Sequence, residues 1–88
     1  MFYVYVIKSK KYGSLYIGST NDLKRRIIKH NKGLVKSTKS KKPYKLLYYE
    51  AYDAESDARR REKMLKLRGQ TRFQLKLRMK DTLAQNES

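Results

Sequence analysis

Eighty-eight residues allow one domain, and a chain this short buries only about 60–65% of the surface its unfolded form exposes, so one modest core is the limit. Cys and Trp are absent, which excludes a disulfide framework and a thiolate zinc site, and eight tyrosines with two phenylalanines supply much of the packing bulk. A formal charge of +15 implies a polyanionic partner, and no apolar run approaches the ~18–20 residues of a membrane span.

The first element is Phe2-Tyr3-Val4-Tyr5-Val6-Ile7, an unbroken aromatic and β-branched run. Such a run predicts a strand covered on both faces, hence a central one. It begins without a charged n-region or an apolar h-region, which predicts a cytoplasmic protein. Lys8 to Gly13 is polar and ends in glycine, and Leu15-Tyr16-Ile17-Gly18 then resumes strand character, so the two segments predict a hairpin. With a four-residue connection at Ser9–Tyr12, Tyr5 and Tyr16 face each other across it; a one-residue slip separates them onto opposite faces.

Ser19-Thr20-Asn21-Asp22 offers capping side chains before Leu23, and Gly33 suits the position past a helix end, which brackets a helix of about eleven residues. Leu23, Ile27 and Ile28 form its core stripe, and Arg26 and His30 stand one turn apart on an adjoining one. Residues 34–42 are rich in Lys, Ser and Thr and aperiodic, the composition of a mobile basic loop closed by Pro43. Tyr44 to Tyr52 reads as a third strand. Asp53 is placed to cap a second helix that Gly69 stops, with Ala54, Ala58, Glu62 and Leu65 on its inward stripe. Phe73, Leu75, Leu77 and Met79 alternate as in a strand, but the intervening Gln, Lys and Arg favour a short final helix, and a frayed tail is expected from Asp81 to Ser88. The predicted fold is α+β: a three-stranded antiparallel sheet with the first strand in the middle, flanked by helices in the order ββαβα plus a short C-terminal helix, in a single domain over residues 1–80.

The charge is unevenly placed. Ten of the 23 basic residues fall between Lys24 and Lys45 and ten more between Arg59 and Lys80. Once the core is covered, the basic helices have no broad apolar face left for lipid, so the expected polyanion is nucleic acid rather than a membrane.

Tyr3-Val4-Tyr5, Tyr16-Ile17-Gly18, the run Asn21-Asp22-Leu23-Lys24-Arg25-Arg26 and then His30 stand in a fixed order, with Glu62 further on. This ordered set resembles the signature of the GIY-YIG nucleases over roughly residues 2 to 80. It is most similar to the small stand-alone bacterial members, and it also resembles the nuclease domain of the excision-repair incision subunit. Tyr-Val-Tyr stands where the family name has Gly-Ile-Tyr, which keeps the second aromatic. Many members carry an asparagine after the metal-binding glutamate; the only later Asn here is Asn86, with Gln70 and Gln74 as alternatives.

The resemblance implies a metal-dependent endonuclease in which Tyr5 is the general base, Tyr16 helps to position the attacking water, and Glu62 holds Mg²⁺ or Mn²⁺. The residues themselves are consistent with those roles. Phosphodiester hydrolysis needs an activated water, neutralisation of the phosphate and a cation against the developing pentavalent centre. Glu62 is the sole acid between Arg59 and Lys80, and one carboxylate plus waters is a usual Mg²⁺ arrangement; it also stands four residues before Lys66, in ion-pair reach. A tyrosine, with an ordinary pKa of about 10, needs nearby positive charge or metal-bound water to act as a base at neutral pH, and the local excess of Lys and Arg can provide that charge. Arg26 suits a bidentate phosphate contact. His30 is either a proton donor and acceptor or an ordinary histidine near a helix C-terminus. Gly18 bares the backbone for an approaching strand. Together with Arg25, Lys29, Lys36, Lys39, Lys41 and Lys42 it is expected to contact nucleic acid, DNA in preference to RNA. The protein is expected to be a monomer or weak dimer. No second domain for target choice is obvious in the sequence, so that choice is expected to fall to a partner protein or to weak selectivity. The competing reading is a non-catalytic DNA- or RNA-binding or ribosome-associated module.

Overall fold

The computed structural model describes residues 1–85. Three strands, β1 (Phe2–Ser9), β2 (Leu15–Thr20) and β3 (Tyr44–Tyr52), form one antiparallel sheet in the order β2-β1-β3. Around it stand α1 (Leu23–Asn31), a 3₁₀ turn at Lys39–Lys41, α2 (Glu55–Leu67), α3 (Gly69–Arg78) and α4 (Lys80–Gln85). The architecture is α+β, and β1 takes the centre because Val4, Tyr5, Val6 and Ile7 are all buried, covered from both sides. Among the described residues no helix is long and apolar enough to cross a membrane.

Because side chains alternate along a strand, the sheet has two cores. Val4 and Val6 pack with Ala58, Leu65, Leu75 and Met79 from α2, α3 and the residue that follows it, and Leu83 of α4 lies against that cluster. Tyr5, Ile7 and Tyr44 form the second core, packed against Leu23 and Ile27 of α1. Nine apolar residues are buried among those described. At roughly 1.5–3 kcal/mol each, that is little against the entropy of ordering the chain. Polar networks therefore have weight here, above all the one around Glu50. Its carboxylate, on the α2 side of β3, accepts the Tyr48 and Tyr52 hydroxyls at 2.6 Å each and the Arg61 guanidinium at 2.8 and 3.0 Å.

Several local expectations are corrected. Ser9 extends β1, and its hydroxyl oxygen accepts the Lys11 and Tyr12 N–H groups while Gly13 turns the chain at φ 76°. That side-chain-built turn sets a register in which Tyr5 pairs with Gly18 and Ile7 with Tyr16. Tyr5 and Tyr16 hence share a face as diagonal neighbours two residues out of opposition. Asp22 caps α1 as expected, accepting the Arg25 N–H at 3.1 Å, and Gly33 follows it at φ 75°. Ile28 is exposed, however, which leaves Leu23 and Ile27 as the packing stripe.

The 34–42 segment is no free loop. Its Thr38 is fully buried, Ser9 donates its hydroxyl proton to the Lys41 carbonyl at 2.6 Å, and Lys10 N–H bonds the Pro43 carbonyl at 2.8 Å. Asp53 caps nothing: Ala54 is the N-cap, exposed and without a side-chain bond, so the inward stripe begins at Ala58. Gly69 opens α3 rather than ending a helix, since the break falls at Arg68, whose backbone is extended (φ −113°, ψ 111°). The tail expected from Asp81 is helical through Gln85, because Leu83 has the apolar cluster to pack on; residues 86–88 lie outside the described part.

Candidate active site

The sheet brings Tyr5, Tyr16 and His30 together. Tyr5, His30 and Thr38 are fully buried. Tyr5 Oη lies 2.7 Å from His30 Nε2, and His30 Nδ1 lies 2.7 Å from Thr38 Oγ1. The rings interlock: Tyr16 meets the imidazole edge-on with centroids 5.2 Å apart, and Tyr5 and Tyr16 are 6.5 Å apart. His30 reaches this place because it stands on the last turn of α1, one turn beyond Arg26, and α1 lies on the Tyr5 face. It is no surface histidine.

Arg26 completes the group. Its charge acts on both Tyr5 and His30, and its Nε is buried with no partner among the described protein groups. Burial, and after it the Arg26 charge, lower the His30 pKa from 6.5 to about 4, so the imidazole is neutral at physiological pH. For Tyr5, burial pushes the pKa up and Arg26 only partly draws it back. The Arg26 charge alone therefore does not offset the burial of the ring. A buried tyrosine of this kind needs a partner to take its proton.

Glu62 comes from the other side of the sheet. Gly18 and Ser19 are consecutive on β2 and face opposite ways: Gly18 lies under the Tyr5 ring, while Ser19 donates its hydroxyl proton to Glu62 Oε1 at 2.6 Å. Glu62 Oε2 pairs with Lys66 Nζ at 2.7 Å, and that ammonium stands 5.7 Å from the centroid of the Tyr16 ring. Burial alone raises the Glu62 pKa, but Lys66 and Ser19 outweigh it and hold the carboxylate below the ordinary range. It is thus ionised and held at the β2 edge, beside the tyrosines. Among the described residues no group of three or more His, Asp or Glu assembles. A cation here would take one carboxylate and fill its shell with water and phosphate oxygens, a donor set that fits Mg²⁺ or Mn²⁺.

Of the residues expected to touch nucleic acid, Arg25 and Lys29 line an open polar concavity of about 450 Å³ with Thr20, Asn21, Asp22 and Arg26. Lys36, Lys39, Lys41 and Lys42 are exposed on the 34–42 segment, apart from that concavity. Gly18 is buried, and its reason for being glycine is internal. A Cβ there would stand 2.5 Å from Tyr5 Oη and 2.6 Å from Tyr5 Cζ. Gly18→Ala is expected to cost about 1–3 kcal/mol by overpacking and to break the Tyr5–His30 bond; thermal unfolding of the variant at parental temperature would refute that account. Gln70 and Gln74 are exposed on α3, and Asn86 lies outside the described residues. Residue patterns did not single out Ser19 or Thr38. Ser19 was accessible by strand alternation after Gly18; Thr38, one hydroxyl in a Lys/Ser/Thr run, carried no signal.

Residues 1–82 match the family described as the GIY-YIG catalytic domain. A UPF0213 protein of Staphylococcus saprophyticus is 46% identical over 65 residues, covering 73% of this chain and 78% of that one. A UPF0213 protein of Clostridium perfringens is 43% identical over 67 residues, 75% of this chain and 71% of the other. The solution NMR structure of the UPF0213 protein BH0048 from Bacillus halodurans superposes with a TM-score of 0.52 at 37% identity, covering 85% of this chain and 82% of that one.

Proposed function

The chain belongs to the GIY-YIG catalytic-domain family, and on that premise we propose that it is a metal-dependent endonuclease that hydrolyses phosphodiester bonds in nucleic acid, DNA before RNA. The observation that carries this reading is the buried, unpartnered Nε of Arg26, beside the Tyr5 hydroxyl and on the rim of a basic concavity. A half-buried guanidinium with a spare donor is suited to an anionic oxygen. In the proposed reaction Arg26 binds and orients the phosphate, Tyr5 removes a proton from the attacking water, and Tyr16 confines that water between the two rings. Glu62 would hold the divalent cation, which supplies charge neutralisation at the phosphate and the leaving oxygen. To do so it would exchange the Lys66 ammonium for the metal. The Arg25 and Lys29 cations draw the strand in, and an affinity built on such contacts weakens with salt.

One observation favours the non-catalytic alternative: Glu62 is already satisfied by Lys66 and Ser19. Glu62→Gln separates the two readings. With Mg²⁺ supplied, a panel of single-stranded, duplex and branched DNA and RNA is expected to be cut by the parent and about 10²-fold or more slowly by the variant. Binding in EDTA should hold steady or tighten, since a carboxylate near phosphate is repulsive. A variant that still cuts, or a parent indifferent to EDTA, leaves Glu62 as an ion-pair partner and the protein as a binding module.

A further inference from the structure

Tyr5, His30 and Thr38 belong to a series of hydrogen bonds whose far end fixes its direction. At the near end the Arg26 charge bears on the Tyr5 hydroxyl. At the other is the Val35 carbonyl, which can only accept and lies 3.3 Å from Thr38 Oγ1. Between them run the 2.7 Å contacts from Tyr5 Oη to His30 Nε2 and from His30 Nδ1 to Thr38 Oγ1. Each hydroxyl has one proton to give. Thr38 gives its proton to the carbonyl and accepts from Nδ1, which leaves Nε2 to accept from Tyr5. The Val35 end thus demands one tautomer of His30, protonated on Nδ1.

We propose that Thr38 is a positioning residue for the nuclease: anchored on the Val35 carbonyl, its hydroxyl locks His30 with the proton on Nδ1, so that Nε2 accepts the proton of Tyr5. This rests on the reading of Tyr5 as the base, and it supplies the partner that a buried tyrosine needs. As the water oxygen bonds to phosphorus, its proton passes to Tyr5 Oη and the original Tyr5 proton passes to His30 Nε2. The imidazolium so formed still donates its Nδ1–H to Thr38. The phosphorus–oxygen bond to the leaving group breaks, and that oxygen departs with the electron pair. The opposite tautomer reverses the polarity: an Nε2–H would donate onto the Tyr5 oxygen and occupy the lone pair that the water proton requires. Thr38 also immediately precedes the basic turn Lys39–Lys41, so a strand held by those lysines bears on the segment that orients the imidazole.

His30 is the one histidine in the chain, so its ring nitrogens can be read without ambiguity by long-range ¹H–¹⁵N correlation at neutral pH. The parent is expected to show Nδ1 protonated and Nε2 bare. Thr38→Val keeps the shape of the side chain without the hydroxyl. It should move the proton toward Nε2 and lower kcat by roughly ten- to a hundredfold, as expected when the tautomer of a catalytic histidine is no longer held. KM and the affinity for DNA in EDTA should be unchanged, and Thr38→Ser should restore both tautomer and rate. A parent protonated on Nε2 overturns the proposal even if Thr38→Val fails to fold. So does a folded Thr38→Val that keeps the parental tautomer or rate. If the parent shows Nδ1–H and yet cleaves nothing on the substrate panel, the nuclease reading fails while the hydrogen-bond polarity stands, so the two failures are told apart.

Discussion

Tyr5→Phe should lose about 10²–10⁴-fold of the cleavage rate, the usual loss on removing a general base, while keeping most of the thermal stability. The ring is what packs: it lies over Gly18, meets His30 edge-on at 5.7 Å and belongs to the cluster with Ile7 and Tyr44. The hydroxyl contributes one hydrogen bond, to Nε2 of His30. Removing it leaves a buried acceptor unsatisfied, a cost of about 1–3 kcal/mol. Because that nitrogen belongs to a neutral imidazole, the lower end applies. Rate and stability should therefore separate, with a slow enzyme that melts within several degrees of the parent. A variant that cuts at the parental rate makes Tyr5 a core tyrosine and nothing more.

The largest effect on stability is expected at Glu50, far from any role in cleavage. Its side chain is 13% exposed and that of its partner Arg61 20%, so the pair is poorly screened. Burial opposes ionisation of Glu50, but the Arg61 guanidinium and the two tyrosine hydroxyls overcome it and bring the pKa from 4.5 to about 2. Glu50→Gln removes the charge and strands Arg61, at a cost of about 3 kcal/mol. On a domain of this size that is a fall of on the order of 10–20 °C in melting temperature. The pH dependence gives a second check. A depressed carboxylate pKa contributes stability in full above the unfolded value and loses it as pH falls toward the folded one. The gap between parent and variant should hence be constant above about pH 4.5 and close as pH falls toward 2. A gap that stays open in acid, or none at neutral pH, counts against the Glu50 network as a brace.

Much of this arrangement is legible in the sequence, and the reason lies in periodicity. The unbroken apolar run at Phe2–Ile7 forces two-sided burial and with it the strand order. A step of four residues on a helix brings Arg26 and His30 to one side, and alternation on β1 and β2 puts Tyr5 and Tyr16 on one face at any even slip. What periodicity cannot carry is the partner a side chain finds across the fold. The hairpin register depends on Ser9 folding back onto Lys11 and Tyr12, a choice made by one hydroxyl. Thr38 sits in an aperiodic segment, and its bond to His30 spans a turn that no pattern predicts. Arg68 breaks the helix through its backbone angles, while Gly69, the expected breaker, opens the next one. The Glu50 cluster was within reach, since Tyr48, Glu50 and Tyr52 alternate onto one face, but the arginine that completes it comes from another element.

Gly18 and Ser19 show how little backbone separates the two halves of the site. One accommodates the Tyr5 ring and the next holds Glu62, so the offset between them is a single strand step of about 3.3 Å. For protein engineering this sets the portable unit. A graft that carries this dipeptide, its β1 partner strand and the seats of α1 and α2 takes the geometry with it. The outer face of α3, where Phe73 and Leu77 are exposed, can be rewritten for solubility or fused to a targeting module without changing that offset.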